Sequence, residues 1–286
     1  MRLNFQSSIR TLRSARGFTL VEMIVVMVVT GILGGMITML ISGLVQGYVD
    51  SARRAEISYI ADIALNRLTH DLRRALPNSV QVHSASGVYY LDFLSVTGGG
   101  RYRAASDALA VGAPCGTASA AVLDFNAVDT CFEALGSQVQ FQPGDQVVIN
   151  NLGIAGWDAY SGNTTATDVR RAYAGVTGTP VSAVVINSGN LLPGGSASHG
   201  FYNVHEQVRY ICDPVFGHVL TRYWGFTIDV PSAVIPIGGS SAVLATNIDG
   251  CSFSIPPTGL VTMLLKITKD GDSVSLYGAA HVRNVP

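Results

Sequence analysis

Between Met23 and Val45 the chain runs for 23 residues without a charged side chain or a proline, and this run limits its folding options more than any other feature. As a helix it would extend about 35 Å. The hydrocarbon core of a bilayer is about 30 Å thick, so the run is long enough to cross. It exceeds the ~7–15-residue apolar region of a secretory signal peptide, and no A-x-A-like cleavage site follows it. Residues 1–17 hold Arg2, Arg10, Arg13 and Arg16 and no acid, while Phe18–Val49 holds a single charge, Glu22. Basic residues before a span and a near-neutral stretch after it place the N-terminus in the cytoplasm. The reading expected is a single-pass membrane protein whose C-terminal part lies outside the cytoplasm, which in a Gram-negative bacterium means an inner-membrane anchor and a periplasmic head.

Beyond residue 50 the pattern becomes amphipathic without a break. Ile57, Ile60, Ala64, Leu65, Leu68, Leu72 and Leu76 recur at three- and four-residue spacing, and Arg53, Arg54, Glu56, Asp62, Arg67, Asp71, Arg73 and Arg74 fill other positions. All eleven prolines lie at or after Pro77. The spacing therefore predicts one helix from about 19 to 76, ended by the restriction that Pro77 places on the residue before it. From Val80 onward the texture is β. Val261–Thr268 and Val274–Val282 alternate around Asp270-Gly271, a strong hairpin signal. A second hairpin is expected from Val208–Cys212 to Val219–Trp224. Residues 98–200, rich in Gly, Ala, Ser and Thr with weak periodicity, read as long loops with a few strands. The architecture expected is α+β. Its parts are a leader over 1–17, a membrane helix over 18–49, an amphipathic helix over 50–76 and a β-rich head over 77–286.

Only 13% of residues are charged against 48% hydrophobic, which excludes a disordered, charge-rich chain. A net charge of −1 gives no electrostatic footprint for nucleic acid. Residues 77–286 carry nine basic and fourteen acidic side chains, so the head is mildly acidic. Such a charge-poor surface suits packing against sibling subunits.

The stretch Gly17-Phe18-Thr19-Leu20-Val21-Glu22, opening directly into the apolar run, closely resembles the prepilin processing motif of type IV pilins and type II secretion pseudopilins. The resemblance implies that a prepilin peptidase cuts between Gly17 and Phe18 and that Phe18 becomes N-methylated. It also implies that Glu22 pairs with the N-terminal amine of a neighbouring subunit during assembly. A carboxylate at mid-bilayer costs about 2.5–3.5 kcal/mol on insertion scales, so a partner is physically reasonable. The plainer reading is a glutamate snorkelling to the headgroups. Gly31, Gly34, Gly35, Gly43 and Gly47 fit close helix approach, local melting, or the ordinary glycine enrichment of membrane helices. No proline stands in this segment, unlike in many major pilins.

Further along, Cys212-Asp213-Pro214 to Trp224-Gly225 and Leu244-Ala245-Thr246-Asn247-Ile248 before Cys251 resemble the C-terminal half of PilW/PulJ-like minor pilins. Gly259-Leu260-Val261, Val274-Ser275-Leu276-Tyr277 and His281–Pro286 look most like minor pilins of the mannose-sensitive haemagglutinin (MSHA) pilus system. The resemblance implies a long N-terminal helix packed on an antiparallel sheet. Its implied partners are a prepilin peptidase, other minor and major pilins and an inner-membrane assembly platform. Two alternatives stay open, a J-class type II secretion pseudopilin and a tip adhesin or anchored periplasmic ligand-binding protein.

Cys115, Cys131, Cys212 and Cys251 all lie in the exported part, and four cysteines allow three connectivities. Without a C-x-x-C or a zinc-spaced histidine pair, disulfides are expected rather than a metal site. Pairing of sequence neighbours, Cys115–Cys131 and Cys212–Cys251, is the arrangement expected. No catalytic motif stands out. His205-Glu206-Gln207-Val208-Arg209 lacks the second histidine of a zinc protease, and Asp270-Gly271-Asp272-Ser273 is too short for a calcium loop. No enzyme activity and no cofactor are implied. Tyr202, Tyr210, Tyr223 and Trp224 read as strand packing rather than a ligand groove.

Overall fold

The computed structural model describes residues 17–105, 115–116, 121–161, 168–256 and 259–282. Residues 1–16 of the expected leader, and Arg283–Pro286 of the C-terminal resemblance, lie outside the described residues. The chain divides into two units, Met1–Ala52 and Arg53–Pro286.

The described part of the first unit is the start of α1 (Leu20–Leu72), a 53-residue helix that is long and apolar enough to cross a membrane. Thr19 caps it: its Oγ1 accepts a hydrogen bond from the Glu22 N–H at 3.2 Å, the usual work of a threonine at this position. Side chains from Phe18 to Val49 are exposed throughout, so none of them is buried by another described residue. Thr30, Thr38 and Ser42 return their hydroxyls to carbonyls three or four residues back, which satisfies them without water.

In the second unit α1 buries one stripe, Ile57, Ala61, Ala64, Leu65, Leu68 and Leu72. The helix ends at Leu72, four residues before the expected stop at Leu76. The cause is capture by a strand, not Pro77. Leu76 N–H donates to the Leu94 carbonyl at 2.8 Å and Val96 N–H donates to that of Arg74 at 2.8 Å, with Ala75 bridging Ser95.

Fourteen strands follow. β1 (Gln81–Ala85) and β2 (Val88–Tyr102) form a hairpin. The short strands β3 (Cys131–Leu135), β4 (Val139–Gln140), β5 (Gln146–Val148), β6 (Arg170–Tyr173), β7 (Pro180–Val181) and β8 (Ala183–Asn187) come next. Then β9 (Gly200–Asp213) pairs with β10 (Val219–Phe226), and β10 with β11 (Ser240–Thr246). A separate sheet holds β12 (Ile248–Ser254), β13 (Leu260–Lys269) and β14 (Asp272–His281) in that order. Both hairpins expected from alternation are present. The tighter one turns through Asp270 at φ 50° and Gly271 at φ 89°, the two left-handed positions of a type I′ turn.

The long strands β2 and β9 pair over their whole length and serve two bodies of structure. Their outer halves, around Leu91, Phe93, Val208 and Tyr210, cover the helix stripe on one side. From the other side come Val261, Met263, Leu265 and Ile267 of β13, so the helix is sandwiched between two antiparallel sheets. The remaining halves of β2 and β9 close a ring. β2 pairs with β3, β3 with β8, β8 with β6, β6 with β5, β5 with β9 and β9 with β2, every pair antiparallel. All six strands contribute to one core, including Tyr102, Phe132, Val147, Tyr173, Val184 and Phe201.

This small barrel sharpens the reading of residues 98–200 as long loops with a few strands, because four of those strands close a ring with β2 and β9. β3, β5, β6 and β8 are three to five residues long, so no periodicity announced them. Register shifts at Ser95/Val96 and Val96/Gly98 mark where β2 leaves the helix sheet for the barrel. At Gly99 the two long strands approach closely. A Cβ there would stand 2.5 Å from the Phe201 carbonyl oxygen, nearer than any side chain tolerates.

Candidate functional site

The residues singled out from sequence fall into two places. Gly17, Phe18 and Glu22 stand at the N-terminal end of α1, and the four cysteines stand in the head. Gly17-Phe18-Thr19 is exposed and precedes the helix without regular secondary structure, and nothing lies within 4 Å of where a Gly17 side chain would begin. Phe18 is 76% exposed. Thr19 then starts the helix, with Met23 N–H donating to its carbonyl at 3.2 Å. The bond between Gly17 and Phe18 is thus exposed and lies just before a capped helix start.

Glu22 sits three residues after the cap, in the first turn, where a carboxylate is favoured by the unpaired N–H groups and the helix dipole. The Thr19–Glu22 spacing is that of a capping box. A negative charge at this position is thus compatible with the local helix and is exposed for a partner outside the chain.

In the head, Cys115 bonds Cys131 with a Cα–Cα distance of 5.9 Å, and Cys212 bonds Cys251 at 6.5 Å. The second bridge lies inside the helix core and ties β9 to β12, joining the two sheets that clasp α1. The first holds residue 115 to the start of β3. Among the described residues no cysteine is free.

Three further groups were not apparent in the sequence. Asp71 is buried on the apolar stripe of α1, where Tyr210 Oη donates to its carboxylate at 2.9 Å and Arg222 Nε at 2.7 Å. Burial opposes its ionisation, but the bonds from Arg222 and Tyr210 and the charges of Arg222 and Arg67 outweigh it and hold the carboxyl below its ordinary range. Burial and the neighbouring Asp71 push the Tyr210 phenol far up in turn. The guanidinium of Arg222 also lies 4.6 Å from the ring centre of Trp224. On the opposite face of the sheet Arg209 Nε donates to Asp92 at 2.7 Å, and there burial wins and raises the Asp92 pKa.

The second group clamps the helix where the head begins. Arg53 and Arg54 both reach Asp272 at 3.1 and 2.9 Å, and Lys269 reaches Glu56 at 2.8 Å. The Asp270-Gly271 turn is thereby fastened to α1. The third is His205, whose Nδ1 lies 2.7 Å from Oδ1 of the fully buried Asp145. His205-Glu206 thus belongs to strand β9 and is engaged in packing. Tyr210 and Trp224 have the packing roles expected for them. Among the described residues, no cluster of three or more His, Cys, Asp or Glu side chains has metal-binding geometry.

An exposed Gly-Phe-Thr start thus precedes a helix long and apolar enough to cross a membrane, and that helix continues into an antiparallel sandwich. A family model for the prokaryotic N-terminal methylation motif matches residues 12–38. No curated protein and no solved structure matches the chain. The motif supports a type IV pilin-type protein, one structural in role, processed by a prepilin peptidase and assembled with other pilins. With one N-terminal apolar helix, it fits a membrane-anchored chain bearing a soluble C-terminal domain.

Proposed function

We propose that this chain is a minor pilin of an MSHA-type IV pilus system, resembling MshO, that primes or caps pilus assembly. Processing separates Gly17 from Phe18 and methylates Phe18. The helix stays in the inner membrane with the head in the periplasm until the subunit is extracted into the filament. Glu22 then neutralises the N-terminal amine of a neighbouring subunit. The observation that carries this reading is the exposed Gly17-Phe18-Thr19 start, within the matched motif, at the head of a helix whose side chains to Val49 are all exposed. Thirty residues of largely apolar, exposed helix from Leu20 to Val49 require either lipid or sibling helices, and a filament core supplies the second when the first is left behind. The resemblance of the C-terminal hairpins to MSHA minor pilins supports the choice within the class.

The decisive measurement is mass spectrometry of the mature N-terminus, with methylated Phe18 as the expected result; an intact Met1 defeats the reading. Glu22→Ala should leave cleavage intact and block incorporation. Normal incorporation of that variant would remove the neutralisation role while leaving the processing step standing. Co-purification with MSHA minor pilins and immunolabelling at filament ends support priming or capping. Labelling along the whole shaft counts against a cap, and recovery with type II secretion components assigns the chain to the J-class pseudopilins instead.

A further inference from the structure

Cationic side chains in the head unit are almost all engaged. Arg53 and Arg54 hold Asp272, Arg67 and Arg222 hold Asp71, Arg103 holds Glu133 and Arg209 holds Asp92. Lys266 and Lys269 hold Asp249 and Glu56, and Arg170 and Arg171 are spent on backbone carbonyls. Among the described residues of this unit, only Arg73, Arg74 and Arg101 make no side-chain hydrogen bond or ion pair. The three are not scattered. Arg73 and Arg74, just past the end of α1, line a groove of about 340 Å³ with Val96, Thr97, Gly98 and Tyr202. Arg101 is three residues beyond Gly98 on β2, about 10 Å along the strand.

The strand geometry places Arg101 on the same side as the groove. Tyr102 points into the barrel core, and the place of a Gly100 Cβ is 3.1 Å from the Phe201 ring. Alternation then puts Gly99 and Arg101 on the outer face, the face of Tyr202, which is the cross-strand partner of Gly99 and lines the groove. Gly99 carries no side chain, and the Tyr202 side chain stands 3.5 Å from where its Cβ would be. Two arginines after a helix C-terminus are ordinary, since the dipole favours cations there. Two unengaged guanidiniums lining one groove and a third on the face of Tyr202 beyond it, in a head whose net charge is acidic, are not explained by that dipole.

We propose that this groove binds a small oxyanion, a carboxylate or phosphate group, held by the guanidiniums of Arg73, Arg74 and Arg101 and bordered by Tyr202. Guanidinium forks match both groups in bidentate fashion. The proposal is independent of the assembly reading, because it concerns only the head. The test is calorimetric titration of the full chain in detergent at low ionic strength, with potassium phosphate in one arm and sodium glucuronate in the other. Saturable binding of one anion per chain is expected. It should weaken about tenfold or more in Arg73→Gln/Arg74→Gln and in Arg101→Gln, since hydrogen bonds to charged groups are the stronger kind. The melting temperature of the unliganded variants should not move, as these side chains hold nothing else. Tighter binding of glucuronate identifies a carboxylate as the preferred group, and tighter binding of phosphate identifies a phosphate. No saturable binding of either anion, or equal binding by the variants, overturns the proposal.

Discussion

Asp71 shows how much can rest on a residue that the helix pattern placed among its polar positions. It lies three residues after Leu68 and one before Leu72, so it falls on the apolar stripe, and the structure buries it there between Tyr210 and Arg222. Asp71→Ala leaves Arg222 buried beside Trp224 without its counter-charge, and a loss of about 3–5 kcal/mol is expected in urea unfolding. Asp71→Ala combined with Arg222→Met should cost less than Asp71→Ala alone, because no uncompensated charge remains. The pH dependence follows from the lowered pKa. The Asp71 carboxylate contributes stability in full above its ordinary value near 3.8, and that contribution is lost as pH falls through the lowered folded value. Urea midpoints of the native chain should therefore fall below about pH 4, and Asp71→Asn should flatten this limb while lowering stability at neutral pH. Gly99 makes the complementary case. Its need to lack a side chain comes from the Phe201 carbonyl of a strand a hundred residues away, so a Thr-Gly-Gly-Gly run could be read only as loop. Gly99→Ala should destabilise by about 1–3 kcal/mol through forced separation of β2 and β9.

At the scale of elements, legibility followed sequence distance. The β13–β14 hairpin was readable because Asp270-Gly271 and the alternation on either side are local signals. The membrane half of α1 was readable from its composition alone. The barrel was not, since strands as short as the three residues of β5 and four of β6 carry no period and the ring closes only through β2 and β9. The helix end was misplaced for a related reason: the competitor that stopped α1 at Leu72 was the hydrogen bonding of residues 74–76 to β2. The bridge between Cys212 and Cys251 spans 39 residues and joins the two sheets around α1. Replacing both cysteines by serine should cost about 2–4 kcal/mol, measured as a shift in the urea midpoint, chiefly by freeing the unfolded chain. An unchanged midpoint would show that the helix core alone aligns the sheets. The Asp270-Gly271 turn is a smaller lever. Gly271→Val places a β-branched residue at φ 89° and should cost at least about 1–2 kcal/mol, read by the same unfolding curve.

For the whole molecule, the distribution of burial separates what must be tethered from what must fold. Among the described residues every buried side chain lies at or beyond Ile57, and the core of the head takes its helical share from Ile57 to Leu72. The ion pairs of Arg53, Arg54 and Glu56 complete that share at its N-terminal end. The described residues from Phe18 to Val49 add exposed apolar surface. A chain beginning at Arg53 therefore keeps the buried core of the head and its ion pairs to Asp272 and Glu56, and loses the segment that demands lipid. Such a fragment, exported to an oxidising compartment so that both bridges form, should be soluble without detergent and should unfold in one cooperative transition by circular dichroism. Its disulfide map should show Cys115–Cys131 and Cys212–Cys251. Starting the fragment instead at Asp62 removes Arg53, Arg54, Glu56, Ile57 and Ala61 together, and should lower the melting temperature by well over the about 4 °C that a single kcal/mol moves in a domain of this size. If the two fragments melted alike, the clamp between α1 and the β13–β14 turn would contribute nothing. A fragment from Arg53 that showed no cooperative transition would mean that the head borrows its stability from the membrane half of the helix.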